Sequence, residues 1–225
     1  MMRTLAWVGA FSIFVCLCFL AACESRQEHM DPIRIHSLDP SYTLQAKAFN
    51  VQPDGVAALA VVGTGLPSGA EVLWNGQPLK TGGGGSQGWV GAAVPGNLYS
   101  TAGTAAISVR DPGGSISNAL TFKIYPSSGP APEITALYPT GTTAGTPFNV
   151  QPSGDAALGV IGKGFLPDAT IYIGGKELKT GFSDTSLSVS VPSAAFSKAG
   201  NVSIWVKNID GKISNKAIFK VIPKD

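Results

Sequence analysis

Cysteine, histidine and charge are all scarce in this 225-residue chain, and each scarcity removes a class of function. The three cysteines, Cys16, Cys18 and Cys23, all stand before residue 24. No disulfide or cysteine-ligated metal can form beyond that point, so the bulk of the chain must be held by packed cores. Of the two histidines, His29 falls in a polar stretch and His36 in a predicted first strand. A Ser-His-Asp site needs an imidazole oriented by a buried carboxylate, which neither position supplies. Charged residues make up only 13% of the chain, with no basic patch and no basic run interleaved with aromatics, so nucleic acid is not a partner. Acidic residues are scattered. Asp54 and Asp155 read as loop caps and not as calcium ligands, because no second carboxylate lies at short spacing. The paired acids of a glycoside hydrolase have no visible cluster to come from. These gaps point away from an enzyme and from any metal, cofactor or small-molecule substrate. A hydrolase would need two carboxylates brought to one cleft by the fold. Helical periodicity is also missing; at most Ala194 to Lys198 makes one turn.

What is present begins with the N-terminus. Met1 to Ala22 carries one positive charge, Arg3, and an apolar run from Leu5 to Phe19. That run is short for a membrane span, which needs about 20 residues, and suits the apolar region of a secretory signal. It ends in Leu20-Ala21-Ala22-Cys23. This resembles the lipobox of bacterial lipoproteins: a branched apolar residue, two small ones, then cysteine. The resemblance implies cleavage between Ala22 and Cys23, a diacylglycerol on the Cys23 thiol and an acyl chain on its amine. Each buried methylene contributes about 0.8 kcal/mol, so several chains on one residue anchor stably where one does not. The implied address is export and attachment to the bacterial cell envelope. The residue after the cysteine is Glu24, not the aspartate that resembles an inner-membrane retention signal, which favours the outer membrane. An ordinary signal peptide with an incidental Cys23 is the alternative. Without Arg3, 15 basic residues face 14 acidic ones. Residues 23–32 then form a tether, polar from Arg26 to Asp31.

The remainder is built from one unit used twice. Phe49-Asn50-Val51-Gln52-Pro53 recurs letter for letter as Phe148-Asn149-Val150-Gln151-Pro152. Ala57-Ala58-Leu59 matches Ala156-Ala157-Leu158, and Leu79-Lys80-Thr81-Gly82 matches Leu178-Lys179-Thr180-Gly181. Val94-Pro95 matches Val191-Pro192, and Ile116-Ser117-Asn118 matches Ile213-Ser214-Asn215, now two residues closer because the first unit has a longer glycine loop between Gly82 and Gly88. The expected layout is a first domain at 33–126, a linker at 127–132 and a second domain at 133–225. Two prolines, Pro130 and Pro132, make the linker a semi-rigid spacer.

Each unit reads as all-β. Short apolar or β-branched runs are bounded by Gly, Pro, Asn or Asp. Val202, Ile204 and Val206 alternate with Ser203, Trp205 and Lys207, the pattern of a strand with one buried face. Asn75-Gly76 and Gly174-Gly175 sit where a two-residue type I′ hairpin needs positive φ at both positions. Gly113-Gly114 and Asp210-Gly211 mark a second turn. About seven short strands per unit predict an immunoglobulin-like β-sandwich. Gly63, Gly65, Gly162 and Gly164 predict a bend or bulge where a strand leaves its sheet. Asn118 and Asn215 are expected to bond nearby backbone at a strand start.

Motif order makes the likeness specific. Ile35-His36-Ser37-Leu38-Asp39-Pro40 and Ile134-Thr135-Ala136-Leu137-Tyr138-Pro139 open the units. A Gly-x-Gly element, an Asn/Gly-Gly hairpin, a Val-Pro pair and a closing Ser-Asn-x-x-x-Phe element follow in both. This resembles the IPT/TIG domain, an immunoglobulin-like fold, over nearly all of the chain after the signal. Asp210 departs from the usual glycine pair.

Three tryptophans carry what the sequence says about binding. Trp89 lies by the glycine loop and has no aromatic counterpart in the second unit; Trp74 corresponds to Ile173; Trp205 points away from its strand's core face. Exposed indoles stack on sugars or anchor proteins, and the alternative is that they cover a sheet face or a domain junction. The expected function is a non-catalytic, lipid-anchored envelope protein whose two modules bind a partner or act as spacers. Its expected partners are the membrane through the anchor, and an envelope protein or a glycan. The second reading is carbohydrate binding through Trp89 and the Gly82–Gly88 loop.

Overall fold

The computed structural model describes residues 32–83 and 88–225. The signal segment, its Ala22–Cys23 junction, the tether up to residue 31 and the middle of the glycine loop (84–87) lie outside the described residues.

The first module contains β1 (Arg34–Asp39), β2 (Tyr42–Leu44), β3 (Ala57–Thr64), β4 (Glu71–Trp74), β5 (Gln77–Pro78), β6 (Lys80–Gly82), β7 (Trp89–Val94), β8 (Gly103–Arg110) and β9 (Leu120–Tyr125). The second contains β10 (Glu133–Tyr138), β11 (Gly141–Thr143), β12 (Ala156–Lys163), β13 (Thr170–Ile173), β14 (Lys176–Leu178), β15 (Gly181–Phe182), β16 (Ser186–Val191), β17 (Gly200–Lys207) and β18 (Ala217–Ile222). Each module has a four-stranded sheet, β1-β3-β7-β6 or β10-β12-β16-β15, and a five-stranded one, β2-β9-β8-β4-β5 or β11-β18-β17-β13-β14. All pairings are antiparallel except β2–β9 and β11–β18. This is the two-sheet immunoglobulin arrangement, with the core between the inner faces. Among the described residues there are nine strands per module where seven are expected. The additional ones are pieces of two or three residues such as β5 and β15, too short to show any alternation.

The two modules agree residue by residue. The β3 and β12 strands share one burial alternation, Leu59 and Val61 inward in one, Leu158 and Val160 in the other. β1 and β10 both slip register midway, between Ile35 and Ser37 and between Ile134 and Ala136. Asn118 and Asn215 explain what stabilises that slip. Asn118 accepts from the Ile35 N–H at 2.9 Å and donates to the Ile35 carbonyl at 3.0 Å. Asn215 does the same to Ile134, at 2.8 and 3.0 Å. The amide stands in for a missing neighbouring strand and satisfies both backbone groups. These bonds span over eighty residues and are not the local caps expected from sequence.

The glycine pairs divide their work. A Cβ on Gly63 or Gly162 would run into the carbonyl of Arg34 or Glu133 on the paired strand, whereas Gly65 and Gly164 turn the chain at φ +65° and +72°. Both hairpins form as expected. Asn75-Gly76 joins the Trp74–Gln77 pair and Gly174-Gly175 the Ile173–Lys176 pair, all four residues at positive φ.

The doubled Phe-Asn-Val-Gln-Pro is a core plug and turn. Phe49 packs on Tyr99 and Phe122, and Phe148 on Phe196 and Phe219, with centroids 4.9 to 5.4 Å apart. Tyr99 and Phe196 are delivered inward by single 3₁₀ turns, Gly96–Tyr99 and Ser193–Phe196; the first of these has no forewarning in sequence. Asn50 and Asn149 take φ +41° and +44°, and Gln52 and Gln151 donate back to their carbonyls at 2.7 Å.

The modules also touch. Tyr42 and Tyr125 of the first meet Phe182 of the second edge-to-face, each at 5.3 Å. Around this trio, Lys47 pairs with Asp168 at 2.6 Å, and Lys123 and Tyr125 both reach Asp184. Burial pushes the Tyr42 phenol up, and the Asp168 charge pushes it further. The linker is held as well. Asp210 accepts from the Gly129 N–H at 3.2 Å and from the Ser128 hydroxyl at 3.3 Å, while Lys212 reaches the Gly129 carbonyl. Burial raises the Asp210 carboxyl, but the Gly129 and Lys212 N–H groups and the Lys212 ammonium outweigh it and hold it below its ordinary range. The departure from the glycine pair at 210 is thus where the second module grips the linker.

Candidate binding site

Strand alternation decides where each tryptophan goes. In β7, Val90, Ala92 and Val94 point into the core, so Trp89, Gly91 and Ala93 line the outer face. Register sets Val62 beside Trp89, Ala60 beside Gly91 and Ala58 beside Ala93, and on the other side Gly82 beside Gly91 and Lys80 beside Ala93. The outer face is therefore a floor of alanines and glycines with Trp89 standing at one end. Val62 beside it is 40% exposed. The loop from Asn50 to Val56 rises at the opposite end, and Lys80 flanks one side. Together they enclose an open groove of about 720 Å³.

Glycine makes room for the indole. A methyl group on Gly83 would come within 3.2 Å of the Trp89 six-membered ring, and one on Gly91 within 3.4 Å. The ring rests over these two residues, and Trp89 is 38% exposed. Sequence pointed to Trp89 through its lack of a counterpart. The alanine floor went unnoticed, because alternating small residues in a strand carry no signal of a recess until the register is known.

The other two indoles are elsewhere. Trp74 is corrected from a possible ligand contact to a core residue. It is 4% exposed and packs 5.1 Å from Phe122, because β4 turns both Val72 and Trp74 inward. Trp205 does lie on the outer face of its sheet, but one side is covered. Tyr172 stacks on it at 3.7 Å and 3°, and the Tyr172 hydroxyl donates to Glu177 at 2.8 Å. That hydrogen bond, then burial and the Glu177 charge, raises the Tyr172 phenol.

His36 contacts Thr64 at 3.3 Å on the surface. The Asp54 carboxylate accepts from the Val56 N–H at 3.1 Å, the turn-capping geometry expected of it, whereas that of Asp155 accepts from the Ser153 hydroxyl at 3.0 Å, a side-chain contact and not a backbone cap. Among the described residues no three His, Cys, Asp or Glu side chains converge as a metal site, and no helix is long and apolar enough to cross a membrane.

The IPT/TIG domain family matches residues 132–221. The second module is an IPT/TIG domain. The first repeats its strand order and registers. No curated protein matches the chain. Several solved structures resemble it distantly. The chain is similar to a Bacteroides ovatus protein, SGBP-B of a mixed-linkage glucan utilization locus, solved with a heptasaccharide. That match has 13% identity and a TM-score of 0.34, and covers 81% of this chain but only 43% of the other. The human TIG domain of nuclear factor of activated T-cells, cytoplasmic 4, matches at 23% identity and TM-score 0.31, covering 43% of this chain and 92% of its own. A pair of tandem titin Ig domains matches at 16% and 0.29, covering 82% and 92%. IPT/TIG and Ig-like modules fit a binding or spacer role without catalysis.

Proposed function

We propose that this chain is a non-catalytic, lipid-anchored protein of the bacterial cell envelope, in which the two modules form a binding arm of set length. The observation that supports the arm is the junction. An aromatic trio, two charged contacts and a clamped proline linker join modules that a free linker would leave swivelling. A stiff joint gives a defined reach from an anchor and a defined angle at which sheet faces meet a partner. The anchor itself is proposed from the Leu20-Ala21-Ala22-Cys23 motif, and the outer membrane from Glu24.

Two measurements test the two halves. In cell fractionation the wild type partitions with membranes and Cys23→Ser is released or left unprocessed; a Cys23→Ser protein processed normally and still membrane-bound removes the anchor. In small-angle scattering the full chain gives one narrow distance distribution, broadened by the double change Phe182→Ala and Asp184→Ala. A wild type already as broad as the double variant removes the rigid arm.

A further inference from the structure

We infer that the outer face of the β1-β3-β7-β6 sheet in the first module is a binding site for an uncharged oligosaccharide, with Trp89 as its stacking platform. This rests on the binding part of the function proposed above and names the ligand class.

Three features of the groove select that class. First, the indole lies against Gly83 and Gly91, which fixes the ring, and Trp89 stays 38% exposed at the groove's end. A pyranose ring has an apolar C–H face that packs on such a surface, gaining hydrophobic contact without desolvating its hydroxyls. Second, Ala58, Ala60, Gly91 and Ala93 form a floor without long side chains, so a flat ring can approach the sheet closely. Third, the rim is polar and balanced. Lys80 supplies one positive charge, Asp54 one negative charge, and Asn50 and Gln52 amides with both donors and acceptors. Hydroxyls both donate and accept and carry no charge, so they complement such a rim; a polyanion would meet one cation against one anion. The volume of about 720 Å³ is in the range of ligand clefts.

The second module serves as an internal control. Its same face carries Ser186, Ser188 and Ser190 where the first has Trp89, Gly91 and Ala93. It has serine hydroxyls in place of the glycine and alanine of the β7 floor, and no indole platform.

The test is calorimetric titration of the full chain in detergent with neutral oligosaccharides of glucose, mannose, galactose and N-acetylglucosamine. The expected result is saturable binding to at least one of the four, weakened about tenfold or more by Trp89→Ala, as for a central aromatic anchor. Ala93→Leu, which raises the floor on an outward-facing position, should weaken it similarly while leaving thermal unfolding unchanged. Trp205→Ala should bind like wild type. Absence of binding to all four sugars overturns the inference, as does Trp89→Ala binding equally well. Self-association of the chain that Trp89→Ala abolishes also overturns it, since the face would then be a protein contact. Loss of sugar binding alters neither fractionation nor the scattering of the monomeric chain, so failure here is separable from failure of the anchored arm.

Discussion

The two modules share a frame and differ on its surface. Their β1–β3 and β10–β12 pairings, bulges, asparagine clamps and aromatic plugs superpose position for position, while the sheet face beside β7 and β16 has been rewritten. Trp89, Gly91 and Ala93 in one become Ser186, Ser188 and Ser190 in the other. Buried positions are constrained by packing on both sides, so a duplicated core changes little. Outward positions on the same strands are bounded by solvent, so they can diverge without threatening the fold. What differs between two copies of one scaffold is therefore a better guide to function than what they share. A shared motif as conspicuous as Phe-Asn-Val-Gln-Pro turns out to plug the core and form a turn.

The sharpest way to break the comparison is at the core position where the copies differ most in size, Trp74 in the first module against Ile173 in the second. Trp74→Ala should destabilise the first module by about 3–5 kcal/mol, leaving a cavity beside Phe122. Chemical denaturation should split into two transitions, with the second module's unmoved. Next are the asparagine clamps. Asn118→Ala and Asn215→Ala should each cost about 1–3 kcal/mol, because two part-buried backbone groups lose their partner. Their near-equal geometry predicts near-equal losses; a large inequality would show that one bulge is held some other way.

A smaller effect distinguishes the modules by pH. The Asp210 carboxyl is held below its ordinary range and its side chain is 8% exposed, whereas the first module has Gly113 there. An aspartate depressed in the folded state stabilises at pH values above its unfolded pKa of about 3.9, and that contribution disappears as pH falls through the lower folded value. Asp210→Asn should thus cost about 1 kcal/mol at neutral pH. It should also flatten the acid limb of the second module's stability profile and leave the first module's alone. Smallest in stability is the surface exchange. Trp89→Ser and Ser186→Trp should each shift unfolding by no more than about 0.5 kcal/mol. Ser186→Trp should confer no sugar binding, because Ser188 stands where Gly91 makes room for the indole. Acquired binding would mean that the aromatic ring alone suffices.

Local rules were legible in the sequence. Alternation in β17 exposed that strand because successive side chains must point to opposite faces. Asn75-Gly76 and Gly174-Gly175 revealed hairpins because few residues tolerate positive φ at both turn positions. The long-range partners were not legible. Asn118 could be placed at a strand start but not assigned to Ile35, and nothing near Asp210 named Gly129. Trp74 and Trp89 both looked like candidate binding indoles from their mismatched counterparts. Only the inward turn of β4 and the outward register of β7 separated them.

By itself, then, the sequence determined an all-β chain built from one immunoglobulin-like unit used twice, since strand period, turn chemistry and repetition are properties of neighbouring residues. The tertiary structure decided which tryptophan faces solvent, how the modules lock together and where small residues from β3, β6 and β7 form one recess. Those depend on register between strands far apart in the chain, and a shift of one residue would turn every one of those side chains to the opposite face.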